Sequence, residues 1–288
     1  MHPWRQFHPR NRKCRFGQRQ YTISYHKNAW SRHGRRKKKI ENQKIEEKKT
    51  EIKEEVIVTA DPKVSKNKKK MDYKKILENK EVRAFLKKGN ENLGVLGYTD
   101  HSVKHCAIVA KRAGSILKDF GYSEHDIQLA QIAGAMHDIG NAINREHHGE
   151  YGALLANQLL EKMGMSLEDR VIVVSAIGHH DESTGCAVDP ISAALILADK
   201  TDVRRNRVRT REKANFDIHD RVNYAVTSAE VRLNPKKHVI ILDLQIDENI
   251  CTMYEYFEIF LGRMMLCRQA AELLGAKFKL LANGSKVL

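Results

Sequence analysis

The sequence predicts a mainly α protein. A helical bundle over residues 71–228 is closed by a small α+β module over residues 229–288 and preceded by a disordered basic extension over residues 1–70. Three observations carry this. Between Ser102 and Asp199, apolar residues recur at three- and four-residue steps. Beyond about residue 228 the step shortens toward two. The first 70 residues hold 22 Lys/Arg against 7 Asp/Glu, a composition that cannot bury enough apolar area to offset chain entropy.

In order, Val103, Cys106, Val109, Ala110, Ala113, Ile116, Leu117 and Phe120 mark a first helix that Gly121 stops. Ser123 with Asp126 caps the next, which runs through Ile127, Ala130, Ile132 and Ala133 to His137. A third spans Tyr151 to Met163. Ser166 with Asp169 caps a fourth, carrying Val171, Val174 and Ile177 to the His179-His180 pair. Asp189-Pro190 supplies a cap and a first-turn proline for Ile191, Ala194, Leu195 and Ala198. That helix sets Asp199 near its end and is expected to continue, placing residues 203 and 204 on one face. Strands follow at Glu230 to Leu233 and Val239 to Gln245 around the turn at residues 234–237, then a helix from Thr252 to Leu274. A last strand pair, Lys277 to Leu281 and Lys286 to Leu288, flanks Asn283-Gly284, a tight-turn dipeptide. No internal repeat is visible.

The whole chain has 51 Lys/Arg and 36 Asp/Glu, so beyond residue 70 there are 29 of each and the formal +15 belongs entirely to the extension. A basic balance points to a polyanionic partner, and here that inference applies to the extension alone. The extension has three readings: a solvated segment or upstream sequence ahead of a start at Met71, an electrostatic arm for RNA or another polyanion, or an acid-poor transit peptide. No apolar run approaches the roughly 20 residues needed to span a bilayer, and no membrane partner is expected. Five cysteines without CxxC spacing read as free thiols in a reducing compartment, with Cys106 and Cys267 packed in the core. A soluble cytoplasmic protein is expected.

Seven side chains stand out. His105, His137, Asp138, His148, His179, His180 and Asp199 lie on stretches otherwise apolar enough to be core. Burying such groups is costly without compensation, and one or two metal ions compensate five imidazoles and two carboxylates together. Nitrogen and oxygen donors without thiolate favour divalent iron, manganese, cobalt, nickel or zinc, with magnesium also admitted. His137 and Asp138 are adjacent and would point about 100° apart on a regular helix, so they converge only at a helix end, next to Gly140.

The order of these residues, with their surrounding words, resembles the HD-domain metal-dependent phosphohydrolase superfamily over about residues 95 to 210. The matching words are the His105-to-Ala110 segment, His137-Asp138-Ile139-Gly140, the His148-to-Ala153 segment, the Ala176-to-Asp181 segment with its double histidine, and Ala198-Asp199. The resemblance implies a helical core and a binuclear centre, with His105, His137, Asp138 and Asp199 on one ion and Asp138, His148, His179 and His180 on the other. Asp138 would bridge, and Asp138, His148 and His180 would carry catalysis. Within the set His179 also has another reading, since one histidine of such a pair can orient the substrate or the residues behind the ligands instead of ligating directly. The implied reaction is hydrolysis of a phosphomonoester or phosphodiester, of a nucleotide in particular, by a metal-bridged hydroxide.

Departures narrow the comparison. Asn141 stands where cyclic-dinucleotide phosphodiesterases of this superfamily carry lysine, and Ala142-Ile143-Asn144 replaces the Glu-Asp pair of alarmone hydrolases. The sequence looks closest to uncharacterised stand-alone bacterial HD proteins. Phosphate contacts are expected from Lys200, Arg204, Arg205 and Arg207, which follow Asp199, and from Asn144 and Arg145. Asp181 and Glu182 are candidate proton shuttles. His101 and His125 read as exposed, and His147 as a candidate substrate contact. The alternative reading is a non-catalytic, metal-containing module that binds nucleotide or RNA and uses the basic extension.

Overall fold

The computed structural model describes residues 71–209 and 218–287; the expectations for the basic extension, for Cys14 and for Leu288 lie outside them. Two helices open the described chain, α1 (Tyr73–Glu78) and α2 (Lys80–Val95). Asn79 joins them: it closes α1, and its side chain accepts from the amides of Glu81 and Val82 to start α2. Sequence periodicity missed both because their sparse apolar residues, Ile76, Leu77, Val82, Leu86 and Leu93, are set among lysines and glutamates. All five are buried.

Helices α3 (Val103–Asp119) and α4 (Glu124–Met136) form an antiparallel pair behind the Ser123 cap. They approach closely at Gly134, where a Cβ would stand 2.7 Å from the Cα of Ala110. A 3₁₀ turn at Ile139–Ala142 follows, then α5 (His148–Lys162) and α6 (Leu167–Gly178). Helix α5 begins three residues earlier than apolar spacing placed it, which makes His148 its first residue.

Helix α7 (Pro190–Lys200) is the central element, with every residue from Ile191 to Lys200 buried and a capping box between Asp189 and Ser192. It stops at Lys200, which corrects the expected continuation past Asp199. The Thr201 hydroxyl donates to the Leu197 carbonyl, the Asp202 amide returns to the Asp199 carbonyl, and the chain enters a second 3₁₀ turn at Arg205–Arg207. Threonine and aspartate offer the backbone local alternatives to helix, and here both are used. Residues 203 and 204 therefore share no helical face.

After α8 (Ile218–Ala225) come β1 (Val226–Asn234), β2 (Val239–Ile246), α9 (Met253–Leu273), β3 (Lys277–Ala282) and β4 (Ser285–Lys286). The sheet order is β1-β2-β3-β4; β2 and β3 are parallel and the other neighbours antiparallel. Parallel neighbours need a crossover, and α9 supplies it. Asn283 and Gly284 both take positive φ, 48° and 78°, as a tight hairpin turn between β3 and β4 requires. Tyr256, Phe260, Met264, Cys267 and Ala271 form the buried stripe of α9, which packs against α7. Cys106, Cys251 and Cys267 are buried free thiols. No helix among the described residues is long and apolar enough to cross a membrane.

Candidate metal centre

Each ligand candidate sits where a helix begins or ends. His105 is in the first turn of α3. His137 caps the end of α4, and Asp138, at φ −95° and ψ 0°, has left the helix, so the two adjacent side chains turn to the same place. His147 takes φ +59° immediately before His148, bending the chain into α5. His180 follows the end of α6, and Asp199 lies in the last turn of α7.

Six of the seven candidates converge. Donor atoms of His105, His137 and Asp138, of His137, His180 and Asp199, and of Asp138, His148 and His180 lie within 4.8 Å of one another in each group. His105 Nε2 is 3.1 Å from Asp199 Oδ1 and 3.6 Å from Asp138 Oδ2, and His137 Nε2 is 3.2 Å from Asp138 Oδ2. His179 belongs to none of these groups; its Nδ1 donates to the Ser175 carbonyl at 2.9 Å, and its ring is part exposed.

The hydrogen bonds fix the tautomers. His137 Nδ1 donates to the Gly134 carbonyl, His148 Nδ1 to that of Arg145, His180 Nδ1 to that of Ile177, and His105 Nδ1 to the Asp202 carboxylate at 2.7 Å. Each of these imidazoles therefore carries a proton on Nδ1 and turns Nε2 inward, and in His148 and His180, which burial keeps neutral, that Nε2 is a lone pair. His148 Nε2 and His180 Nε2 face each other at 3.2 Å, two lone pairs with no proton between them. His137 Nε2 and Asp138 Oδ2 are buried without a hydrogen-bond partner. Lone pairs aimed at a common centre are costly unless a cation lies there, and this donor set fits divalent metal.

Charge is balanced locally. Burial opposes ionisation of Asp138 and Asp199, yet both are held well below the usual carboxylate range, Asp138 chiefly by His137 and Asp199 chiefly by Lys200. Lys200 Nζ is 2.8 Å from Asp199 and 3.1 Å from Glu182, and Arg263 of α9 meets Glu182 at 3.1 Å. Burial and the neighbouring His148 push His180 down to about 3. The unfolded chain takes up that proton near pH 6.5 and the folded chain only near 3, so this contribution is whole above pH 6.5 and is lost as pH falls. His137, raised by Asp138 against burial, acts oppositely, losing its contribution as pH rises through its folded value. Metal-free wild type should therefore lose stability relative to His180→Gln between pH 6.5 and 5, by up to about 1.4 kcal/mol per pH unit. Urea midpoints across that range check it; parallel pH profiles would refute it.

A cleft of about 240 Å³ opens over Asp138, His148 and Asp199. Arg145, Lys200 and Arg207 line it; Arg204, Arg205 and Asn144 do not. Arg204 grips the Asp202 carboxylate, Arg205 donates to the Tyr224 carbonyl and lies over that ring, and Asn144 accepts from the Glu146 amide. Arg207 is fixed by the carbonyls of Asp100 and Asp202, and Arg145 lies over the Tyr98 ring at the mouth. Asp181 is buried beside His148, whereas His125 and His147 are exposed on Asp169 and Glu150. His101 is half-buried in the cleft wall, its Nδ1 tied to the Thr99 carbonyl, where sequence placed it in solvent. Sequence reasoning also missed Asp202 and Arg263. Only the Asp in Thr201-Asp202, a helix-stop signal, hinted at the first. Nothing local marks the second.

The HD domain family model matches residues 103–215. Uncharacterized protein MJ1020 of Methanocaldococcus jannaschii is 30% identical over 196 residues, 60% of this chain and 75% of that protein. Ribonuclease Y of Enterococcus faecalis is 31% identical over 122 residues, and that of Mycoplasma mycoides 30% over 112; the chain spans 21% and 24% of their lengths. No solved structure matches the chain.

Proposed function

This chain belongs to the HD domain family, and on that premise we propose that it is a metal-dependent phosphohydrolase cleaving a phosphomonoester or phosphodiester, with a nucleotide as the substrate class. The observation that carries the reading is the set of four inward Nε2 atoms facing two carboxylates, with His148 and His180 at 3.2 Å. His105, His137, Asp138 and Asp199 would hold one divalent transition metal, and Asp138, His148 and His180 a second. When bound, such ions supply Lewis-acid charge and acidify water. Asp138 would be shared through its two oxygens, while His179 stays outside and leaves its exposed edge to solvent or substrate.

The remaining residues bind and orient. Arg145, partly exposed over Tyr98, is placed to reach a phosphate oxygen entering the cleft, and Arg207 presents a guanidinium already held by two carbonyls. Lys200 neutralises Asp199 and Glu182 from a buried position, so its role is to keep acidic groups ionised beside an anionic substrate. Arg204 and Arg205 serve the fold instead.

A second reading, a non-catalytic module for nucleotide or RNA, draws on the similarity to Ribonuclease Y and on the 22 basic residues of the extension. Metal analysis followed by a phosphatase and nucleotide screen with Mn²⁺ separates the two. Transition metal at two equivalents with turnover is the expected result. Metal-replete protein inert to every phosphoester would transfer the case to the second reading.

A further inference from the structure

The four inward histidines are not supported alike. His137, His148 and His180 each rest their Nδ1–H on a backbone carbonyl, a neutral acceptor. His105 alone rests on a carboxylate, Asp202, at 2.7 Å and fully buried. A carboxylate behind an imidazole locks its tautomer and makes Nε2 a stronger donor to metal. The carboxylates are also unevenly shared. Around His105 and His137 both Asp138 and Asp199 lie within 3.6 Å of Nε2. Around His148 the nearest carboxylate oxygens, of Asp138 and Asp181, are at 3.9 Å, and the Arg145 guanidinium stands 3.3 Å from Nε2, a cation where a metal would have to be tolerated.

Resting on the two-ion reading above, we infer that the centre holds its two metals unequally. The His105–His137–Asp199 half is the tight position, with Asp202 as its positioning residue, and the His148–His180 half is the weak position, opposed by Arg145. Asp202 touches neither metal nor substrate in this arrangement; it acts through His105. Its other partners, Arg204 and Arg207, are held by the same carboxylate, so a control must separate their loss from that of His105.

The test is a calorimetric Mn²⁺ titration of metal-free protein, paired with nitrogen NMR of histidine-labelled, metal-free protein to read the His105 tautomer. Wild type should bind in two unequal steps and show His105 protonated at Nδ1. Asp202→Ala should weaken the tight step by about 10–100-fold and mix the His105 tautomers, leaving the weak step in place. Asp202→Asn, whose amide oxygen still accepts, should keep the tautomer and lose less affinity, which covers the case in which the alanine variant folds poorly. Arg204→Met should leave both the tautomer and the tight step unchanged, and Arg145→Met should strengthen the weak step roughly tenfold. Equal affinities in wild type would overturn the inference, as would a tight step indifferent to Asp202→Ala or lost equally in Arg204→Met. A single equivalent in wild type would instead remove the two-ion reading on which it rests.

Discussion

Asp138→Ala is expected to strip metal and abolish turnover together, with bound metal falling below about one equivalent and the rate by on the order of 10³-fold. One Asp138 oxygen lies 3.2 Å from His137 Nε2, and the other faces His148 Nε2 at 3.9 Å while accepting from Asn141 Nδ2 at 2.9 Å. The carboxylate therefore addresses both sets of donors from a side chain that Asn141 keeps from rotating. Without it, Asp199 is the one carboxylate left against the inward Nε2 atoms of His105 and His137, and the ligand charge these two aspartates bring to two dications is halved. Several kcal/mol of charge stabilisation is at stake in such centres, and each 1.36 kcal/mol is tenfold in rate. Elemental analysis and steady-state kinetics on the same sample check the coupling. A variant retaining two metals per chain would rule out a shared role for Asp138.

The places where sequence and structure part company have physical causes. His105, His137, Asp138, His148, His180 and Asp199 were legible because polar groups interrupt apolar helices there, and such interruptions are costly unless compensated. Whether both members of the His179-His180 pair enter the centre was not legible, since adjacent residues at a helix end diverge by an angle that only the backbone sets. Helix α7 was read too long because Thr201 and Asp202 also occur inside helices; what ends the helix is that each finds a specific partner, Leu197 for one and His105 with Arg204 for the other. Arg263 was invisible for a different reason. It reaches the cleft from α9, the crossover between the parallel strands β2 and β3, and no local pattern reports against which part of the bundle a crossover helix is laid.

Gly140→Ala should be strongly destabilising, and it should damage the centre from behind. Gly140 lies in the 3₁₀ turn that carries Asp138, and the first turn of α5 packs directly on it. A Cβ there would stand 2.5 Å from the Gly152 amide nitrogen, 2.9 Å from the His148 carbonyl carbon and closer still to its oxygen. All three obstacles are backbone, so no rotamer change relieves them; α5 must move away and take His148 with it. Overpacking of this kind costs about 3 kcal/mol and, where backbone must shift, more, which for a chain of this size lowers Tm by on the order of 10 °C. Because His148 Nε2 and His180 Nε2 are only 3.2 Å apart, a displacement of a few tenths of an ångström already spoils their common focus, so metal at that half should be lost before the fold is. Gly262→Ala provides the opposing control. Gly262 is exposed in the middle of α9 with open space where its Cβ would go, and the same methyl there should stabilise by about 0.4–1 kcal/mol through reduced unfolded-chain entropy. Thermal and guanidinium unfolding of the two variants, with metal content measured alongside, decide the matter. A Gly140→Ala protein with wild-type Tm and full metal occupancy would mean that α5 does not bear on the Asp138 turn.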